Sequence, residues 1–313
     1  MSSRGRTAIR RLGLAVVGLP PLLALPAAAI YREKHRPKLP KEYTLQDLRG
    51  KTVVATGASS GIGRATVSKL RDLGANVQSG SRSEGNLDLA DLSSVKEFVK
   101  SIEKCDVVLA CAAEICTKKG ETSVDGFDKT FATNHIGLQA LLVEIEKKNI
   151  HPSRVVIVGS KLERNGLVDP DIVKKENGTR LNDRPDEQYT AVKHYSDTKL
   201  CNQMLTTSLV ERWPETKVFS VSPGMVDTDL WRNFPAWFQI LTWPVRKVAL
   251  RTSEDAALGV LYACASEEAG EQKSGTFFVD GSVELASEDS RDAEKAGRLW
   301  KVVEDLIRER GQM

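Results

Sequence analysis

The sequence has too few cysteines, too irregularly spaced, for a disulfide framework. Its five cysteines are an odd number and include no C-x-x-C pair. Structural disulfides and a structural zinc site are therefore not expected. Unpaired thiols are typical of chains that face a reducing, cytosol-like compartment. The five residues are Cys105, Cys111, Cys116, Cys201 and Cys264.

An excess of one charge is also missing. The 313 residues carry 45 basic and 42 acidic side chains, a net charge of +3, which gives no electrostatic reason to expect a nucleic-acid partner. The four histidines lack metal-ligand spacing, so no metal site is predicted. The sequence also contains no internal repeat or low-complexity tract. A hydrophobic content of 41% suits one large α/β domain with an appendage.

Charged and strongly polar side chains are absent from Leu12 to Ile30, and basic residues flank that stretch on both sides. Its nineteen residues are just enough to span a bilayer. Prolines inside it weaken a straight helix, and Ala27–Ala29 offers a signal-peptidase site, so cleavage before secretion is an alternative. The acid-free, arginine-rich start also permits an organelle transit sequence. We expect a retained membrane anchor and a basic linker over residues 1–42, because unpaired cysteines fit an intracellular chain.

A glycine-rich turn separates a predicted strand from a predicted helix. The β-branched run Thr52–Val54 precedes it, and helix-spaced apolar residues begin at Ala65. Glycines lack the Cβ atoms that would keep the backbone away from a pyrophosphate, and the first turn of the helix offers N–H groups to the anion. The alternative is an ordinary βα turn. The predicted dinucleotide contacts are Gly57, Ser59, Ser60, Gly61, Ile62 and Gly63.

Short apolar runs alternate with helix-spaced segments from Tyr43 onward. This pattern predicts a Rossmann-type, doubly wound parallel sheet with helices on both faces, in a single domain over residues 43–285. Residues 286–313 are expected to form a C-terminal helix packed on that domain. The predicted strands are Thr52–Ala55, Asn76–Ser79, Asp106–Ala110, Arg154–Val158, Val218–Val221 and Thr276–Val279.

Two polar residues follow the second predicted strand. Arg82 stands where such a fold presents the side chain that reads the adenosine ribose. A basic residue there favours a 2′-phosphate, so NADP(H) is predicted over NAD(H); the alternative is one more solvated arginine. Asp88 follows so closely that the usual intervening helix must be very short or missing. Its carboxylate is a candidate partner for the adenine amino group.

The residues suited to proton transfer are Tyr195 and Lys199. Their i, i+4 spacing places both on one face of a helix, where the ammonium favours the phenolate. A tyrosine needs that help, because its ordinary pKa of about 10 is too high for acid–base work at neutral pH. Ser160 ends a buried strand, at the edge where ligands of such sheets bind. Asn134 is the fourth polar candidate.

Through the glycine motif and, in order, Asn134, Ser160, Tyr195 and Lys199, the sequence resembles the short-chain dehydrogenase/reductase family over about residues 43–307. The resemblance implies that these four residues form a catalytic tetrad. Tyr195 would exchange a proton with the substrate oxygen, Ser160 would orient that oxygen, and Lys199 would hold the nicotinamide ribose and lower the tyrosine pKa. Asn134 would position a water. Further cofactor contacts are implied at Leu89, Ala112, Tyr195, Lys199, Pro223, Gly224, Val226 and Thr228.

Within that family the sequence resembles two groups. Asn134–Gly137 and the segment 154–166 look most like the membrane-anchored retinol dehydrogenases, which act on lipophilic substrates at the endoplasmic reticulum. Asp197 and Lys199–Asn202 also resemble protochlorophyllide reductase, a light-driven NADPH enzyme. The first resemblance implies a lipophilic alcohol or carbonyl substrate and a membrane location at the endoplasmic reticulum; a homodimer is a further expectation.

Three function classes follow. The first is an NADP-dependent alcohol or carbonyl oxidoreductase, and the second is a light-dependent tetrapyrrole reductase in which Cys201 would matter; a small buried hydrophobe is the alternative for that cysteine. The third is a binding scaffold that lost turnover. Ala110-Cys111, where the family has two asparagines that brace the sheet, is the only feature that favours it. The aromatic segment over residues 230–250 has two interpretations: it covers a lipophilic substrate, or it packs in the hydrophobic core.

Overall fold

Seven strands form one mostly parallel sheet in the computed structural model, which describes residues 39–40, 42–175, 178–179, 181–182 and 185–310. The strand order is β2-β1-β3-β4-β7-β8-β9, and only β9 is antiparallel to its neighbour. β5 and β6 form a separate hairpin. The strands are β1 (Thr52–Thr56), β2 (Asn76–Gly80), β3 (Val107–Ala110), β4 (Arg154–Val158), β5 (Lys174–Lys175), β6 (Gly178–Thr179), β7 (Lys217–Ser222), β8 (Phe277–Val279) and β9 (Ser282–Glu284).

Helices cover both faces of this sheet, as the alternating pattern predicts. They are α1 (Gly61–Asp72), α2 (Leu92–Lys100), α3 (Lys129–Phe131), α4 (Gly137–Lys147), α5 (Ala191–Arg212), α6 (Ala236–Ala249), α7 (Ser253–Ala265), α8 (Glu267–Glu271), α9 (Glu288–Arg291) and α10 (Ala293–Arg310). A π-helical turn, Ala132–Ile136, joins α3 to α4. The fold is therefore a Rossmann-like α/β fold, which confirms the predicted class.

The core divides into two layers because successive strand residues point to opposite faces. Val53 packs in the layer formed with α1, α7 and α8. Its neighbour Val54 packs in the layer formed with α2, α4, α5 and α10. The sheet is thus covered on both sides, which explains why its central strands contain almost only apolar residues.

The six predicted strands are all present, each within one residue of its expected ends. The edge strand β9 was not predicted. It has only three residues, and they are partly exposed to solvent instead of buried between two helical layers. After β2, the chain makes only a three-residue 3-10 turn, Arg82–Glu84, before it reaches Asp88. This confirms the short connection that the sequence predicts there.

The aromatic segment does not fill the core. In α6, four large apolar side chains are 56–75% exposed, and they are Trp237, Ile240, Leu241 and Trp243. Phe234, two residues before α6, stacks on Phe238 in the first turn of that helix, with ring centroids 5.4 Å apart. The core-packing alternative is therefore wrong for most of this segment, because the apolar stripe of α6 lacks a partner layer in the described part of the chain.

Leu12–Ile30 lies outside the described residues, so the membrane anchor stays a prediction. Among the helices that are described, none is both long enough and apolar enough to cross a bilayer. At the other end of the chain, α10 buries Leu299, Trp300 and Val303 against α4 and α5. The Trp300 backbone carbonyl also accepts a hydrogen bond of 2.8 Å from the Gln139 side chain.

Candidate active site

A cleft of about 590 Å³ opens at the carboxyl ends of the parallel strands. This edge of an open α/β sheet is where ligands bind, and the strand order reverses here between β1 and β3. Sequence-predicted site residues line the cleft together. They are Gly57, Ser59, Ser60, Gly61, Ile62, Gly63, Arg82, Asp88, Leu89, Ala112, Ser160, Tyr195, Lys199, Pro223, Gly224, Val226 and Thr228.

The glycine turn is shaped by close backbone contacts. Gly57 has a φ of +68°, and a Cβ atom on it would lie 2.7 Å from the Cα and N atoms of Ala112. A Cβ atom on Gly63 would overlap the carbonyl oxygen of Gly57. Both positions therefore require glycine, one for its conformation and its neighbour in the segment after β3, the other for the approach of helix to strand.

The first turn of α1 presents its backbone to the cleft. Ser60, at the N-cap, has extended backbone and gives no side-chain cap hydrogen bond to α1, and no acidic residue lies in the first turn described. N–H groups at a helix N-terminus without such partners favour an anionic ligand. This geometry fits the pyrophosphate of a dinucleotide.

Tyr195 and Lys199 lie on the same face of α5, as their spacing predicts. The Lys199 Nζ atom is 5.4 Å from the centre of the Tyr195 ring. It donates a hydrogen bond of 2.8 Å to the backbone carbonyl of Val158 at the end of β4. Both side chains are buried, with 2% and 7% of Lys199 and Tyr195 exposed. The helix and the adjacent strand thus hold the ammonium in one position.

Burial dominates the titration of this pair. It lowers the pKa of Lys199 to about 8, although the nearby Cys111 opposes the shift. It also raises the pKa of Tyr195 above its ordinary value. The expected lowering of the Tyr195 pKa by Lys199 is therefore not produced by these side chains alone, because burial and, after it, the nearby Cys111 both raise the pKa of the phenol.

Ser160 and Asn134 approach the cleft in different ways. Ser160 follows β4, and its Oγ accepts a hydrogen bond of 3.2 Å from the Leu162 N–H. Asn134 lies behind the wall of the cleft, 1% exposed. Its Oδ1 accepts from the Glu114 N–H at 2.7 Å, and its Nδ2 donates to the Glu114 carbonyl and to the Thr198 hydroxyl. Asn134 therefore ties the segment after β3 to α5.

The Pro223–Gly224 loop is held by a residue that the sequence did not indicate. Buried Arg251 donates from its Nη1 to the Pro223 carbonyl at 2.7 Å, and the same atom lies 2.8 Å from an Asp280 carboxylate oxygen. Gly224 has a φ of +81°, and a Cβ atom there would lie 2.7 Å from the Arg251 guanidinium. Arg251 was missed because a single arginine in sequence is typical of the surface.

Arg82 does not point freely into the cleft. Its Nη2 lies 2.6 Å from a carboxylate oxygen of Glu114, which follows β3 and is 5% exposed. Asp88 is also engaged locally, because its Oδ1 accepts a hydrogen bond of 2.9 Å from the Ala90 N–H. Glu114 and Lys129 line the same cleft and were not predicted as site residues. No local motif marks either of them.

Two residues invoked for the tetrapyrrole alternative lie elsewhere. Cys201 is completely buried in the core layer beside α10, and burial raises its pKa well above the ordinary value. Asp197 is also completely buried, where it accepts hydrogen bonds from the Leu167 N–H and the Asn182 amide. Cys111 instead lines the cleft. Within the described residues, no group of histidine, cysteine and carboxylate side chains is arranged to hold a metal ion.

Several known proteins are similar to this chain in sequence. The model of the NAD dependent epimerase/dehydratase family matches residues 53–207. Dehydrogenase/reductase SDR family member 13 of Bos taurus is 32% identical, with 86% of this chain and 76% of the relative covered. Retinol dehydrogenase 14 of Mus musculus is 29% identical, with 83% and 86% covered. Protochlorophyllide reductase, chloroplastic, of Cucumis sativus is 29% identical, with 83% and 78% covered.

A solved structure shares this architecture. The crystal structure of an uncharacterized protein from Mycobacterium Paratuberculosis aligns with a TM-score of 0.65 at 26% identity, with 84% of this chain and 96% of that chain covered. The likeness extends over nearly the whole of that protein.

Proposed function

The chain belongs to the short-chain dehydrogenase/reductase family, and from that premise we propose that it is an NADP(H)-dependent oxidoreductase acting on a lipophilic alcohol or carbonyl compound. The observation that carries this proposal is the placement of Tyr195, Lys199 and Ser160 in one cleft with the glycine turn. The glycine turn would hold the dinucleotide, which would supply or accept the hydride when bound. Side chains of the protein would donate or accept the proton.

Tyr195 is the proposed acid–base group. Because burial raises its pKa, the phenol is protonated at neutral pH, which is the form that donates a proton to a carbonyl oxygen during reduction. Ser160, at the carboxyl end of β4, is proposed to donate a hydrogen bond that orients the same oxygen. Lys199 would stabilise the phenolate left after proton transfer, since its ammonium stands 5.4 Å from the ring centre.

NADP(H) is proposed over NAD(H) because Arg82 lines the cleft after β2. A guanidinium matches a phosphate in charge and geometry, whereas an acidic residue at this place would favour a free ribose hydroxyl. The side chain is 41% exposed, so it is accessible to a ligand. Asp88 is proposed to contact the adenine.

A lipophilic substrate is supported by the outer surface near the cleft. The 3-10 turn Asp229–Asn233 lines the cleft and leads directly into α6. The exposed tryptophans and aliphatic residues of α6 are typical of a surface that meets lipid, because Trp is favoured at membrane interfaces. With the proposed anchor at Leu12–Ile30, this suggests an enzyme at a membrane, which we place at the endoplasmic reticulum. Carbonate extraction of the full chain tests it; a mature chain that begins near Ile30 would contradict a retained anchor.

Light-dependent reduction of a tetrapyrrole is the second candidate, favoured by likeness to the cucumber enzyme. The position of Cys201 in the core, away from the cleft, argues against a direct role for that thiol. A scaffold without turnover is the weakest candidate, because Tyr195 and Lys199 both line the cleft.

The decisive experiment is a substrate screen on the purified full chain. NADPH oxidation is followed in the dark with retinal, a steroid ketone and a simple short aldehyde, and each is repeated with NADH. We expect a higher kcat/KM for the lipophilic compounds than for the short aldehyde, and a preference for NADPH. Activity that requires illumination and a tetrapyrrole would favour the second candidate, and no oxidation under any condition would favour the scaffold.

A further inference from the structure

The buried carboxylate of Glu114 lies in the wall of the cleft between two basic side chains. One carboxylate oxygen is 2.6 Å from the Arg82 Nη2, and the other is 3.9 Å from the Lys129 Nζ. The Cys116 thiol donates a hydrogen bond of 3.0 Å to that second oxygen. Arg82, Lys129 and Glu114 all line the cleft.

Glu114 is fixed in place from its backbone as well. Its N–H and carbonyl both bond to the buried side chain of Asn134, at 2.7 and 2.9 Å. A carboxylate on an anchored backbone cannot withdraw easily when a ligand arrives. Arg82, at 41% exposed and on a short 3-10 turn, is the more adaptable partner.

The ionisation of Glu114 agrees with this geometry. Burial alone would raise its pKa, but the thiol hydrogen bond and the charge of Arg82 hold the pKa below its ordinary value. The carboxylate is therefore charged at neutral pH. It neutralises one of the two cations that this end of the cleft presents.

We propose that Glu114 is a specificity-determining residue that restrains the preference of the cleft for a 2′-phosphate, by holding and neutralising the Arg82 guanidinium. A 2′-phosphate must compete with the carboxylate for Arg82, and it approaches a fixed negative charge. A ribose with a free 2′-hydroxyl meets neither obstacle. This proposal rests on the proposed function, because it assumes that a dinucleotide binds with its adenosine ribose at Arg82.

The test uses two adenosine fragments that differ only in the 2′-phosphate, 2′,5′-ADP and 5′-AMP. Their dissociation constants are measured by calorimetry on the full chain and on Glu114→Gln, at one salt concentration, with thermal unfolding as the check that the variant is folded. We expect 2′,5′-ADP to bind about tenfold tighter to Glu114→Gln, with 5′-AMP affinity changed less than about twofold. A ratio that stays constant, or moves toward 5′-AMP, overturns the proposal.

Two controls isolate the contact. Glu121→Gln removes a carboxylate that lies 3.7 Å from Lys129 but does not reach Arg82, and it should leave the fragment ratio unchanged. In an Arg82→Gln background, Glu114→Gln should shift the ratio by a clearly smaller factor, because the partner that it releases is gone and only the direct repulsion between the carboxylate and the 2′-phosphate is removed. A full effect in that background would place the repulsion elsewhere and overturn the proposal.

The outcomes separate this proposal from the one before it. If wild type binds neither fragment, the cofactor site itself is wrong, and both proposals fail. If wild type binds both fragments and Glu114→Gln changes nothing, only the role of Glu114 fails. If Glu114→Gln does not fold, Glu114→Asp decides, since the shortened carboxylate retreats from Arg82 and should shift the ratio in the same direction by a smaller factor.

Discussion

The two ends of the cleft control charge in different ways. At the Arg82 end, a partly exposed guanidinium meets a buried carboxylate, Glu114, at 2.6 Å. At the Tyr195 end, Lys199 is 2% exposed, and no carboxylate within the described residues pairs with it. Pairing sets the charge at the first end, and desolvation tunes it at the second. Substitutions at the two ends should therefore change different quantities, ligand choice at one and proton transfer at the other.

The largest effect should come from Tyr195→Phe. Loss of a positioned acid–base group reduces turnover by about 10²–10⁴-fold, while NADPH affinity should stay nearly constant because the phenol does not make the phosphate contacts. Single-turnover rates and NADPH fluorescence titration measure the two quantities separately. Tyr189→Phe is the matched control, since Tyr189 lies near α5 outside the cleft lining. If the Tyr195→Phe protein keeps most of its turnover rate, the Tyr195 end of the cleft does not control proton transfer.

Burial should also shift a titration outside the cleft, at the side chain of His135. Burial lowers the pKa of His135 from 6.5 to about 4, although a hydrogen bond with Asn202 opposes this. The unfolded chain takes up the proton first as pH falls, so stability is lost between these two values, by about 2–3 kcal/mol at pH 4.5. Urea unfolding at pH 7 and pH 4.5 measures the loss.

His135→Asn should show a smaller loss of stability between the same two pH values. The exposed His151 provides the control, because His151→Asn should keep the full wild-type dependence. Equal pH dependence in all three proteins would mean that other groups account for the acid sensitivity.

Asn134→Ala should disturb both ends at once. Its side chain makes hydrogen bonds to the Glu114 backbone and to the Thr198 hydroxyl, next to Lys199. Buried partners left without a bond cost about 2 kcal/mol of unfolding free energy in total, on the usual scale of such losses. Chemical denaturation measures it. Asn233→Ala, which removes one bond to the Ile115 carbonyl in a half-buried place, should cost less; equal losses would contradict the bridging role.

The smallest effect should be Arg82→Asp. The new carboxylate would repel a 2′-phosphate and accept a bond from a free ribose hydroxyl, so the ratio of NADPH to NADH affinity should fall about tenfold, or ~1.4 kcal/mol. Arg82→Lys keeps the charge and should change the ratio less. Dissociation constants for both cofactors decide. An unchanged ratio would show that another residue reads the ribose.

Local sequence patterns were sufficient for the six parallel strands, the glycine turn and the placement of Tyr195 and Lys199 on one helix face, because each is encoded within a few residues. Glu114 was not predictable in this way. It meets Arg82 because β2 and β3 both flank β1, so their carboxyl ends converge at one edge of the sheet. That neighbourhood exists only once the strand order is known.

Two other side-chain environments could not be predicted for the same reason. Arg251 was overlooked because its burial depends on the Pro223–Gly224 loop, far away in sequence. The apolar stripe of α6 left a substrate cover and core packing both open, because periodicity shows that a face is apolar, but not whether another layer covers it. In both cases the sequence shows the type of side chain, but its burial or exposure depends on the tertiary structure.

The backbone construction of the glycine turn has a consequence for how this protein can change over evolution. Gly57 and Gly63 are constrained by neighbouring backbone atoms. Pyrophosphate binding at this turn would therefore depend on backbone atoms, which every residue type has. The choice between two dinucleotides, under the proposals made above, would depend on the side chains at residues 82 and 114. A single substitution at either position should then shift the cofactor preference without removing the backbone atoms of the turn.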